Sequence, residues 1–140
     1  MSLIVVDASV PAAWYLPGQR TDPADVFLRE AHEHEFAVPH IFPTELCNIF
    51  LVAERKGRIA PASTALAFQQ LSSLGITVVP APALDGMDPL FELAREQRLT
   101  GYDVAYLHLA LDTGARLASR DEDLLEAAKR RAVDVLDLRS

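Results

Sequence analysis

The chain has 140 residues, half of them apolar and 24% charged, with a formal net charge of −7 at pH 7. That length fits one domain over residues 1–140 with a core of its own, and the lone Cys47 excludes an internal disulfide and a Cys/His zinc site. The acidic balance argues against a binder that meets nucleic acid through a broad basic face, but it is compatible with an acid-lined pocket neutralised by bound cations.

Leu3 to Val6 is a continuous apolar run that predicts a buried strand. The run is too short for a signal-peptide core or a membrane span, so a cytoplasmic location without membrane attachment is expected. Ala24 to His34, behind Asp22-Pro23, predicts a helix, followed by a strand at Phe36 to Val38. Thr44 to Lys56 carries Leu46, Ile49, Phe50 and Ala53 on one stripe before Gly57, and Pro61 to Leu74 carries Leu66, Phe68 and Leu71 before Gly75. A strand at Ile76 to Val79 and helices at Pro89 to Gln97 and Gly101 to Asp112 follow. Strands at Arg116 to Ala118 and Val133 to Val135 enclose a last helix from Asp121 to Arg131. Strands alternating with helices, and apolar without alternation, predict a three-layer α/β/α sandwich around a mainly parallel central sheet.

In such a sheet, ligands bind beyond the carboxyl ends of the strands. Asp7 follows the first strand directly, and Asp121 follows the fourth within Ser119-Arg120-Asp121, so both acids belong to one edge. A charge closing an apolar central strand is costly unless it is paired or metal-bound. Glu45 lies in the first turn of one helix, with Asn48 three residues on, and Asp103 opens another. Each of these acids has a second explanation. Asp7 and Asp121 could cap helices, and Glu45 and Asp103 could complement helix dipoles.

Four segments in register resemble the PIN-domain ribonucleases, in particular the VapC toxins of prokaryotic toxin–antitoxin pairs. They are Val5-Val6-Asp7-Ala8-Ser9, Pro43-Thr44-Glu45-Leu46-Cys47-Asn48, Tyr102-Asp103-Val104-Ala105-Tyr106, and the stretch from Leu117 to Leu124. Together they extend over essentially the whole chain. The resemblance implies that Asp7, Glu45, Asp103 and Asp121 form an acidic quartet binding Mg²⁺ or Mn²⁺, with Asp123 as the alternative fourth acid. Ser9 and Ser119 become supporting hydroxyls, Ser119 standing where the family often has Thr, and Asn48 orients Glu45 or a water. It also implies an RNA substrate, a homodimer and a cognate VapB-like antitoxin that lays a segment along a hydrophobic groove and a basic side chain into the acidic pocket. An acidic pocket suits an inhibitor that inserts an arginine.

The chemistry asks for these residue types. Mg²⁺ prefers carboxylate and water oxygens, and carboxylates clustered without it repel one another, raising at least one pKa. Basic side chains for substrate contact are sparse: Arg95, Arg98, Arg116 and Arg120, then Arg55, Lys56 and Arg58, and Lys129-Arg130-Arg131. A solvated helix face or a dipole partner is the plainer reading of each.

Other classes fit less well. Ser9 stands where a haloacid-dehalogenase-type phosphatase needs a second Asp, and no glycine-rich turn follows the first strand. A receiver-type signalling domain also uses clustered acids, but its phospho-acceptor and lysine pattern is not found in this sequence. The competing function is a catalytically silent interaction module of the same fold. Cys47 is expected buried, His32 and His34 exposed, and His108 in the core, while Trp14-Tyr15-Leu16 could pack locally or present a partner surface.

Overall fold

The computed structural model describes residues 2–140. Its sheet has five strands in the order β3-β2-β1-β4-β5: β1 Leu3–Val6, β2 Glu35–Pro39, β3 Thr77–Val79, β4 Arg116–Ser119 and β5 Val135–Asp137. All four pairings are parallel. The helices are α1 Ser9–Tyr15, α2 Asp22–Arg29, α3 Phe42–Arg55, α4 Pro61–Ser73, α5 Asp88–Gln97, α6 Gly101–Thr113 and α7 Glu122–Arg130. From β1 the chain steps outward to β2 and β3, then returns past β1 to β4 and β5. Right-handed crossovers therefore put α1–α4 on one face and α5–α7 on the other. The packing agrees: α1 lies against α2 and α3, whereas α6 lies against α5 and α7. The direction reverses between β1 and β4, and that is where an open α/β sheet forms its binding crevice.

Several boundaries differ from the sequence reading. Helix α1 was not anticipated, because Val10, Pro11, Ala12, Ala13 and Trp14 are all buried and leave no amphipathic period to see. Trp14 packs locally, donating from Nε1 to the carbonyl of Ala24 at 3.0 Å and resting on Phe27. Helix α2 ends at Arg29, and residues 31–33 form a separate 3₁₀ turn. Strand β5 begins two residues late. Ala132 takes φ +59°, and the Val133 N–H returns to the Ala128 carbonyl at 2.9 Å, closing α7 before the ladder can start.

The core runs through β1, β4, α6 and α7. Ile4, Val5, Leu107, Leu117, Leu124 and Leu125 have no exposed surface. Strand β3 is an edge strand with Val78 46% exposed, so burial on both faces holds for the centre of the sheet and not for this edge. Cys47 is exposed, contrary to expectation, because the buried stripe of α3 is Phe42, Leu46, Phe50 and Ala53. His108 is half-buried instead of sealed in the core, and His34 is half-buried against Phe27 and Phe36. Among the described residues no helix is long and apolar enough to cross a membrane.

Candidate active site

Register brings the first two acids together. Val6 pairs with Ala118, so the residues that follow, Asp7 and Ser119, stand side by side at the carboxyl edge, and the Asp7 N–H donates to the Ala118 carbonyl at 3.2 Å. Asp7 is 6% exposed and Ser119 is fully buried. Ser119 Oγ donates to Asp7 Oδ2 at 2.7 Å, while Ser9 donates to Oδ1 through both its hydroxyl and its N–H. Each hydroxyl is itself fixed by a backbone donor: the Arg120 N–H reaches Ser9 Oγ at 3.0 Å, and the Asp121 N–H reaches Ser119 Oγ at 2.9 Å. The two serines are therefore set to give their protons to Asp7, an arrangement that suits its charged form. The capping explanation for Asp7 accounts for only one of these contacts.

The other acids come from helices. Asp121 is the N-cap of α7, accepting from the Leu124 N–H at 3.0 Å through Oδ1 while also lining the cavity, so the two readings of this residue are compatible. Asp103 does not cap α6, since Thr100 does, with its Oγ1 accepting from the Asp103 N–H at 3.1 Å. Glu45, at the start of α3, accepts the Tyr106 hydroxyl at 2.6 Å. Tyr106 is 1% exposed, and its position three residues after Asp103 puts both on one face of α6. The sequence showed Tyr106 only as part of a motif; its role as the partner of Glu45 depends on α3 meeting α6.

Asp7, Ser9, Glu45, Asp103, Tyr106 and Asp121 line one cavity of about 280 Å³, together with Ala8, Ala12, Gln19 and Ile49. Asn48 is not among them. It is exposed, faces the adjoining groove, and Glu45 has Tyr106 in the place expected of it. Asp123 is exposed and stands outside the cavity wall, acting on Asp103 only through its charge. Gln19 was not anticipated. It accepts from Arg120 Nη1 at 3.3 Å, while Arg120 Nε is buried without a hydrogen-bond partner.

The electrostatics follow from this crowding. Burial pushes Asp7 up to about 7, against the lowering effect of the two serines and with help from the charges of Asp121 and Asp103. Burial, then the charges of Asp121, Glu45 and Asp123, push Asp103 up to about 6. Burial and the hydrogen bond to Glu45 hold Tyr106 far above the usual phenol range, so it stays a donor. Nothing cationic lines the cavity to balance these carboxylates.

The donor set is all oxygen, as a hard divalent cation requires. Among the described residues no three His, Cys, Asp or Glu side chains converge closely enough to clasp a bare ion. The residues thus fit an ion that keeps several of its own waters, as Mg²⁺ does, better than one caged by protein.

This combination defines a class: a doubly wound α/β protein with an acidic cavity at the point where the sheet reverses direction. The chain belongs to the PIN-domain family, whose model matches residues 4–130. It is similar to "Ribonuclease VapC3" of Pyrobaculum aerophilum, 27% identical over 123 residues that make up 88% of this chain and 92% of the relative. Among solved structures it resembles PAE2754 from Pyrobaculum aerophilum, with TM-score 0.71, 24% identity, and 96% of this chain and 84% of that one covered. FitAcB from Neisseria gonorrhoeae gives TM-score 0.64 at 17% identity, with 96% of each chain covered. These two likenesses concern the fold.

Proposed function

We infer that this protein is a Mg²⁺- or Mn²⁺-dependent endoribonuclease of the VapC type, the toxin of a toxin–antitoxin pair. The observation that carries the reading is the convergence of Asp7, Glu45, Asp103 and Asp121 on one cavity at the β1–β4 crevice. The similarity to a VapC ribonuclease supports RNA as the substrate and a VapB-like antitoxin and a second copy of the chain as partners. A cytoplasmic location accords with an exposed free thiol at Cys47.

Asp7, Asp103, Glu45 and Asp121 would hold the cation. When bound, it would acidify a water and neutralise charge on a phosphate oxygen. Asp7, fixed by Ser9 and Ser119, sets the position of the site, because its carboxylate cannot rotate without breaking three hydrogen bonds. Tyr106 keeps Glu45 turned toward the cavity with one oxygen free. Burial and the charges of Asp121, Glu45 and Asp123 raise the Asp103 carboxyl in the metal-free cavity, a repulsion that a bound cation would relieve. Gln19, which lines the cavity, accepts from Arg120 and so ties a positive charge to its wall.

Purified protein incubated with total cellular RNA and Mg²⁺ or Mn²⁺ tests the reading, with cut ends mapped by sequencing. Discrete cuts that disappear with EDTA and in the Asp7→Asn/Asp103→Asn variant are expected. Absence of cuts above the variant's background, in folded protein free of inhibitor, would transfer the assignment to the silent interaction module.

A further inference from the structure

Beside the acidic cavity lies a groove of about 290 Å³ that shares two walls with it, Gln19 and Ile49. The groove follows α3 toward its carboxyl end, past Asn48 and Val52 to Lys56 and Arg58. From Glu45 to Lys56 is roughly 16 Å along the helix axis, at a rise of about 1.5 Å per residue. Its character changes along the way. The end joined to the cavity is acidic, the middle is apolar (Leu16, Ile49, Val52), and the far end is cationic. Lys56 and Arg58 are exposed and, like most basic side chains among the described residues, take part in no ion pair.

A helix carboxyl end favours positive charge in its own right, which explains Lys56 at the end of α3. It does not explain why Arg58, beyond the helix, lines the same groove. A chain of alternating phosphates and bases fits that sequence of surfaces. The scissile phosphate sits over cation-filled carboxylates, a base lies on the apolar middle, and a further phosphate meets the ammonium and guanidinium groups. A peptide would match all three parts only if it ran basic, apolar and acidic in that order, whereas the repeating phosphates and bases of a nucleic-acid strand do so in any sequence.

We propose that this groove seats the unpaired RNA strand flanking the cleaved bond, with Lys56 and Arg58 binding its backbone phosphate and Leu16, Ile49 and Val52 supporting a base. The proposal rests on the nuclease reading and extends it to a strand path. Asn48 thereby acquires a place as a polar contact for the strand, not a partner of Glu45.

The test is equilibrium binding, by fluorescence anisotropy, of a short mixed-sequence single-stranded oligoribonucleotide in EDTA over a series of salt concentrations. The wild-type chain is compared with Lys56→Glu/Arg58→Glu and with the charge-matched control Arg29→Glu/Lys129→Glu. The groove variant is expected to bind at least ten-fold more weakly. Its plot of log affinity against log salt should be shallower by about 0.7, for the one phosphate that the two groups neutralise on a single strand. The control should change neither by more than about two-fold. The milder Lys56→Gln/Arg58→Gln pair replaces the groove variant if its melting temperature falls. Equal binding by wild-type and groove variant overturns the proposal and leaves the groove to a protein segment. Cleavage assays separate the two claims: cleavage that survives Asp7→Asn sinks the nuclease reading. Cleavage lost in Asp7→Asn, with RNA binding indifferent to Lys56 and Arg58, sinks the strand path alone.

Discussion

The cavity is built from two regions of different character. At the seam between β1 and β4, Asp7 accepts from two hydroxyls and a backbone N–H, and the hydroxyls are tied to the backbone of residues 120 and 121. At the helix rim, Glu45 depends on one contact from Tyr106, and Asp103 leaves its helix start to Thr100. The seam is set by strand register and cannot shift without sliding the sheet. The rim is set by side chains that reach over the sheet edge from α3 and α6, on opposite faces, and is joined by the Tyr106–Glu45 hydrogen bond, which is softer. A rigid acid opposite adjustable ones is a reasonable design for holding a hydrated cation while substrate displaces some of its waters.

The largest expected effect lies at the seam. Asp7→Asn should reduce cleavage at least about a thousand-fold, beyond the roughly 10–100-fold carried by groups that only orient a metal ligand. The folded protein should persist, as measured by circular dichroism. Ser119→Ala strips Asp7 Oδ2 and the Asp121 N–H of a partner at a fully buried position. It should cost about 1–3 kcal/mol in urea unfolding and about 10–100-fold in cleavage. A rim substitution that proved more damaging than Ser119→Ala would break the contrast.

The same contrast has a signature in pH. Burial raises the Asp7 carboxyl in the folded protein to about 7 from the ordinary 3.8, so between those values the folded state holds a proton that the unfolded chain has released. Its contribution to stability is complete below about 4 and is lost as pH rises through about 7, on the order of 4 kcal/mol for so buried a group. Metal-free wild-type protein should therefore lose stability relative to Asp7→Asn between about pH 4 and 7 and level off above that, and added Mg²⁺ should narrow the gap. Parallel pH profiles for the two proteins would contradict the assignment.

Smaller effects belong to the rim. Tyr106→Phe preserves the buried ring but frees Glu45, and should lower cleavage about ten-fold while costing about 1 kcal/mol. Asp123→Asn should alter cleavage by about two-fold or less, because it reaches Asp103 only through charge, whereas Asp121→Asn should be severe. A reversal of that order would make Asp123 the fourth acid.

These differences follow what a sequence can and cannot carry. Asp7 and Ser119 were legible because residues that follow apolar strands must lie at the sheet edge, and the parallel register was implied by the strand–helix alternation. Asp103 and Glu45 were legible as helix starts from the residues and as neighbours only through the resemblance; their meeting depends on side chains that reach over the sheet edge from α3 and α6, which is also why Tyr106 was read only as part of a motif and Asn48 was expected beside Glu45. Helix α1 was hidden by its own burial, and Cys47 by a stripe that runs one residue to its side. Lys56 and Arg58 were legible as candidate substrate contacts, but the groove that joins them to the cavity was not, since its walls come from separate segments.

The central claim is that the four acids form one metal-dependent catalytic centre. The most direct test is to titrate Mn²⁺ into wild-type protein, follow the free ion by electron paramagnetic resonance, and measure RNA cleavage in the same samples. Cleavage rising in proportion to bound Mn²⁺, with both lost in Asp7→Asn/Asp103→Asn, is the predicted result. Mn²⁺ binding that persists in that variant, or cleavage that proceeds without bound metal, would contradict the account.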